Sequence, residues 1–152
     1  MKAYHFTTDK LRDGRPIPKI GVPLIHDGPI IPCHQGLHAS EHPFDALQFA
    51  PGNLLHLVEL DGDLIAHGNP CNKWIGRTRT IIQTIDATVL LRRFAKDQAL
   101  SVIHLWDAPQ VVIDYLNADA DCADADAAAH AAARAAARAE FLKRAEKAFD
   151  LQ

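Results

Sequence analysis

The stretch that most limits how this chain can fold is its C-terminal quarter. Over residues 118–139 most positions are alanine. Alanine orders without losing side-chain entropy and has the highest intrinsic helix propensity, so AAAHAAARAAARAE favours helix. The same residues bring almost no side-chain volume. They count toward the 48% apolar content without filling an interior, and the bulky side chains of a core have to come from the first 117 residues. The expected organisation is a globular α+β domain over 1–117 and an alanine-rich helical tail over 118–152.

Within the tail, Asp119, Asp121, Asp124 and Asp126 precede Arg134 and Arg138, the order that a helix macrodipole favours. One helix is expected over 124–149, with Phe141, Leu142 and Phe149 as its bulky apolar anchors. Propensity alone seldom fixes such a helix in water. Two packed fates are open. The tail packs on its own domain, or it pairs with a second chain through close alanine faces and makes a homo-oligomer. A solvated tail is the third outcome and the least expected.

Charge narrows the partners. The formal net charge is −3 and no Lys/Arg run exceeds two residues, which argues against a nucleic-acid partner held by phosphate neutralisation and leaves a protein partner open. The three cysteines, Cys33, Cys71 and Cys122, match neither CxxC nor a disulfide scaffold, as expected of free thiols in a reducing compartment. The N-terminal MKAYHFTTDK has no apolar signal core and no run reaches membrane-spanning length, so the expectation is a cytoplasmic protein without a membrane partner.

Periodicity places the elements. A first strand is expected over 3–7. Residues 9–32 are rich in proline and glycine and predict loops and short edge strands. A strand over 36–39 leads into a helix N-capped by Ser40 that buries Phe44, Leu47 and Ala50 and ends at Pro51-Gly52. The run LLHLVEL over 54–60 is the strongest strand signal. Asp61-Gly62 then predicts a hairpin to 63–67, followed by loop over 68–75 and a β-branched strand over 78–84. Asp86 suits the N-cap of an amphipathic helix reaching Trp106, with Ala87, Leu91, Phe94, Ala95, Ala99, Val102, Ile103 and Trp106 on a buried face. Asp107-Ala108-Pro109-Gln110 resembles a capping box opening a short helix to about Leu116.

Candidate chemistry is sparse. Cys33, His34, His38 and His42 fit no standard zinc spacing, so a small buried cysteine among loop histidines is the expectation and no metal is assigned. Glu59 is an acid in an otherwise apolar strand, whereas Asp61 and Asp63 read as turn residues. Lys73, Trp74, Arg77 and Arg79 form a basic and aromatic cluster suited to a phosphate or an acidic partner, with Arg134 and Arg138 as further partner-binding candidates; a solvated strand edge is the plainer reading. GxSxG, P-loop, GxGxxG and HExxH patterns are absent, so none of the reactions those motifs serve is indicated.

Several stretches taken together resemble a family of uncharacterised phage and prophage proteins: KAYHF at the start, GLHAS over 36–40, DALQFAPG over 45–52, VELDGD over 58–63, RTRT over 77–80 and DATVLLRRFA over 86–95. Members often end in alanine-rich repeats. The resemblance implies a phage-borne accessory role in the host cytoplasm: a module that binds a host or phage protein, such as an inhibitor of a host defence system. A structural phage protein that oligomerises through its tail is an alternative.

The order of elements is also similar to that of ADP-ribosyltransferase-like domains, which would make the protein an NAD-binding enzyme. That resemblance implies His5 with Thr7 at the position that holds the nicotinamide ribose, and Ser40, or His38 before it, at the second. An acid stabilises the cation formed as nicotinamide leaves. The late strand carries Gln83 and no acid, which leaves Glu59 as the acid implied. On that reading His5, Ser40 and Glu59 are catalytic, and Thr7 and His38 bind NAD.

Overall fold

A strand has two hydrogen-bonding edges, and in β4 (Leu54–Asp61) both are filled inside one sheet. In the computed structural model, which describes residues 1–118, β1 (Lys2–Thr7) runs antiparallel along one edge of β4, from Lys2 opposite Glu59 to Thr7 opposite Leu54. β7 (Thr78–Asp86) runs antiparallel along the other, and the short β2 (Pro23–Ile25) pairs with the outer side of β7. The order of this first sheet is β1-β4-β7-β2. The tail helix expected over 124–149, with Arg134 and Arg138, lies outside the described residues.

The filled edges of β4 rule out the expected hairpin. The turn Asp61-Gly62 does not fold the chain back into a hairpin with β4. Residues beyond it cross to a second antiparallel sheet, where β5 (Ile65–His67) pairs with β6 (Lys73–Gly76), and β6 pairs with β3 (Leu37–Ala39). β6 occupies part of the stretch expected to be loop. Its Ile75 is fully buried, an apolar anchor that a solvated loop would not supply. The two sheets are joined by a backbone pair: Tyr4 N donates to Ser40 O at 2.7 Å and Ser40 N donates to Tyr4 O at 2.9 Å.

That pair also revises the role of Ser40. It caps no helix. α1 spans only Pro43–Leu47, starts after His42 without a side-chain cap, and buries Ala46 alone. Phe44, expected inside, is exposed.

Strand alternation builds the interior. Successive side chains point to opposite faces. Ala3 of β1, Val58 and Leu60 of β4, and Ile81 of β7 therefore share one face of the first sheet. They close against Leu37 and Ala39 of β3, with Leu24, Ile17, Met1 and Trp74 packed around them. Opposite Leu57 and Val58 the register shifts by one residue, leaving Ile82 as the extra residue of a bulge. The bulge keeps Ile81 on the core side while Gln83 pairs with Leu57.

The chain divides into two compact units, Met1–Thr88 and Val89–Gln152; both sheets lie in the first. At the end of β7, Asp86 accepts hydrogen bonds from Thr88 N at 2.9 Å and Asn53 Nδ2 at 2.8 Å, which caps α2 (Thr88–Ser101) as its residue type predicts. The helix stops at Ser101, followed by a 3-10 turn (Ile103–Leu105), and none of its residues is buried. Of the expected buried face, Ala87 is fully buried just before the helix, whereas Val102 is nearly half exposed. α3 (Gln110–Asn117) begins after Pro109 without a side-chain cap, so the expected capping box is replaced by a Gln110–Asp114 bond within the helix. In this unit Lys96 Nζ donates to Ala118 O at 3.2 Å and stands 4.5 Å from the centre of the Tyr115 ring. The architecture of the described residues is α+β, two small antiparallel sheets with three α-helices. No helix among them is long and apolar enough to cross a membrane.

Candidate functional site

The face of the first sheet that carries the core also carries polar side chains toward the C-terminal end of β1. His5 and Thr7 have the parity of Ala3, and His56 has that of Val58. Arg79, opposite Leu60, has the parity of Ile81. His5, Thr7 and Arg79 line a cavity of about 580 Å³, which β3 and the loops around it complete with His38, Ser40, Cys33 and Gly36. Gly36 is required there. It sits at φ +113, and a Cβ would collide with Cγ2 of Ile75, so no L side chain fits without strain.

Behind the cavity wall His56 is 1% exposed and satisfied at both ring nitrogens. Its Nε2 lies 2.8 Å from Thr7 Oγ1 and its Nδ1 2.8 Å from Thr84 Oγ1. The Thr7 hydroxyl donates its one proton to Thr8 O at 2.8 Å. Hydrogen-bond counting therefore assigns the ring proton to Nε2, which donates to Thr7, while Nδ1 accepts from Thr84. His56 thereby fixes Thr7, and its ring stacks at 6.4 Å on that of His5.

Charge in the cavity is one-sided. Lys10, Arg12, Arg15, Lys73 and Arg79 line it against the single carboxylate of Asp13, and Asp13 is held by Arg15 at 2.7 Å. Arg79 is 7% exposed. Its Nη1 donates to His38 O at 2.7 Å, and among the described residues it forms no ion pair. Burial lowers its pKa to about 10. Burial, and then the positive charges of Lys73, Arg79 and Arg12, lower His38 to about 4. His56 is lowered to about 4 by burial and Arg79. His5 is held well below the ordinary imidazole range by burial, then by Arg79. All three are neutral at pH 7, and the buried Nε2 of His38 has no hydrogen-bond partner among the described residues. The arrangement offers an anion a buried guanidinium, surrounding ammonium and guanidinium groups, and a neutral imidazole atom without a partner. Among the described residues that line it, Asp13 is the one acid it offers a developing cation, and Asp13 is engaged by Arg15.

The candidate residues divide accordingly. His5, Thr7, His38, Ser40, Lys73 and Arg79 line the same cavity. Glu59 does not. It pairs with Lys2 on β1, one residue out of phase with Val58, and is exposed on the opposite face. Trp74 packs against the core. Arg77 turns to Asp63 at 2.6 Å and Gly28 O at 2.8 Å, so the basic cluster of residues 73–79 does not form one surface. Cys33, expected to be buried, is exposed. Among the described residues no group of three His, Cys, Asp or Glu side chains is placed to hold a metal ion. Sequence reasoning missed Lys10, Arg12 and His56. His56 had a signal, since it shares parity with Val58 and Leu60 in the most apolar strand.

Fold and site together define a small α+β protein with a basic, histidine-lined cavity on one sheet face. Residues 1–93 match the model of a family described as "Domain of unknown function (DUF7666)"; this is more than half of the chain, and the protein belongs to that family. No curated protein and no solved structure matches the chain.

Proposed function

We propose that the protein binds a phosphate-bearing small molecule of nucleotide size in the cavity of its first unit. The observation that carries this is Arg79: a buried guanidinium with no carboxylate partner among the described residues, in a cavity whose one acid among them is already paired. Burying a cation without a counterion costs several kcal/mol, and a ligand phosphate, accepting in the guanidinium's fork geometry, offsets that cost. The volume of about 580 Å³ falls within the roughly 300–1,000 Å³ of small-molecule sites. NAD is the first ligand to test, because His5, Thr7, His38 and Ser40, the residues of the transferase-like resemblance, all line the cavity. The reading is one of binding. Glycosidic cleavage of NAD needs an acid near the departing nicotinamide, and Glu59 faces away.

Thermal unfolding with millimolar NAD, ADP or inorganic phosphate, against adenosine as control, tests the reading. Phosphate-bearing ligands raise the melting temperature by mass action, and Arg79→Met abolishes the rise. No rise with any of them overturns it.

A second reading is a phage-borne accessory module that binds a host protein and blocks a defence system. It is favoured by the sequence resemblance and by the outer strand β2, around which Ile20, Val22 and Ile25 are 62%, 49% and 59% exposed, an apolar edge that no described strand pairs and of the kind that accepts a partner strand. Phage-protection assays against bacterial defence systems, repeated with Val22→Lys and Ile25→Lys, test it; full protection by the double variant would remove the edge from any such role.

A further inference from the structure

The hairpin of β5 and β6 sets His67 directly opposite Lys73, so their side chains lie side by side on one face. Both reach the same atom. His67 Nε2 is 3.3 Å from Cys33 Sγ, and Lys73 Nζ donates to that sulfur at 3.5 Å. Lys73 is also steadied by Phe49, whose ring centre is 4.5 Å from Nζ. Cys33 and Lys73 line the cavity that holds Arg79 and the unpartnered His38 Nε2. A thiol with a base in hydrogen-bond reach and an ammonium on its sulfur is the arrangement of an activated nucleophile. Cys71 supplies an internal contrast. It is also exposed, but among the described residues its Sγ bonds to the Lys73 carbonyl alone, at 3.5 Å.

We propose that Cys33 is a nucleophilic thiol that forms mixed disulfides with small anionic disulfides drawn to the cavity mouth, with His67 as its general base. In the step, His67 Nε2 takes the thiol proton and Cys33 Sγ attacks one sulfur of the disulfide. A new S–S bond forms as the old one breaks, and the leaving thiolate carries away the electron pair and takes up the proton. Cys33 is oxidised and the incoming disulfide is reduced, so no other oxidant is needed. The preference for an anion rests on the cavity reading above; the reactivity of the thiol does not.

The test is stopped-flow reaction of the full chain with dithiobis(nitrobenzoate), a dianionic disulfide, and with neutral dithiodipyridine. Cys33 is isolated by Cys71→Ser with Cys122→Ser, and Cys71 by Cys33→Ser with Cys122→Ser. The expected result is that Cys33 reacts with both reagents about tenfold or more faster than Cys71, with the larger advantage for the anion. His67→Gln brings the rate of Cys33 down toward that of Cys71 with either reagent. Inorganic phosphate slows the anionic reagent only, in the chain that keeps His67, so the result does not depend on the variant folding. Equal rates at the two cysteines overturn the proposal. A fast Cys33 with no preference between the reagents overturns its anionic substrate class. Loss of the phosphate effect in Arg79→Met, with the neutral-reagent rate intact, separates failure at the cavity from failure at the thiol.

Discussion

Arg79 is where function and stability oppose each other. Its charge is buried and, among the described residues, unpaired, so it works against folding of the ligand-free chain. Replacing a buried charged group by an apolar side chain of similar length is often neutral or stabilising. Arg79→Met is therefore expected to unfold in urea with a stability within about 1 kcal/mol of the parent chain, or above it. A loss of several kcal/mol would mean that the guanidinium holds the fold rather than a ligand. The histidines behind it predict an acid transition. His38 and His56 have folded pKa values of about 4, and the unfolded chain titrates near 6.5. Between these values the unfolded state binds more protons. Stability is then complete above about pH 6.5 and falls as pH drops through the window, by up to about 1.4 kcal/mol per pH unit for each histidine. It stops falling from this cause below about pH 4. Urea titrations from pH 7 to 4 measure the slope. His56→Gln is expected to reduce it, and an unchanged slope would remove His56 from the acid response.

At the scale of elements, the strands with clear alternation or β-branching were legible: 3–7, 54–60 and 78–84 became β1, β4 and β7 nearly residue for residue. Their partners were less so. Asp61-Gly62 has the residues of a hairpin turn, but local turn chemistry is blind to whether an edge is already occupied, and β1 and β7 hold eight-residue β4 on both sides. α1 shrank because Ser40 pairs its backbone with Tyr4 across the sheets, a contact between residues 36 apart in the chain that no local pattern reports. The cavity was half legible for the same reason. His5, Thr7, His38 and Ser40 could be named from their strands, whereas Lys10 and Arg12 come from a proline-rich loop without periodicity. Gly36 ties element to cavity and is testable. Gly36→Ala is expected to cost about 2 kcal/mol or more in chemical denaturation, from a left-handed backbone together with the collision with Ile75. Gly14 has φ +83 and nothing within 4 Å of a Cβ, so Gly14→Ala carries only the backbone part, about 1 kcal/mol. Equal losses at the two sites would show that the close approach to Ile75 is relieved at no cost.

For the whole molecule, the question is how much chain the site needs. Every described residue lining the cavity falls between Tyr4 and Arg79, and the buried core cluster of Ala3, Leu37, Ala39, Val58, Leu60 and Ile81 falls within the same unit. The family match covers residues 1–93 and so includes all of them. The alanine-rich segment lies outside the described residues. A chain ending after Arg93 is expected to unfold in one cooperative transition and to keep the rise in melting temperature given by phosphate-bearing ligands, since ligand stabilisation depends only on the site being formed in the folded state. Removal of residues 94–152 also separates binding in the cavity from assembly through the tail. A cavity-bound ligand is indifferent to the tail, whereas assembly through a C-terminal helix is lost with it, as light scattering of the full and shortened chains would report. If the shortened chain folded but no longer responded to phosphate, the cavity would depend on residues beyond its own lining, and the assignment of the site to the first unit alone would fail.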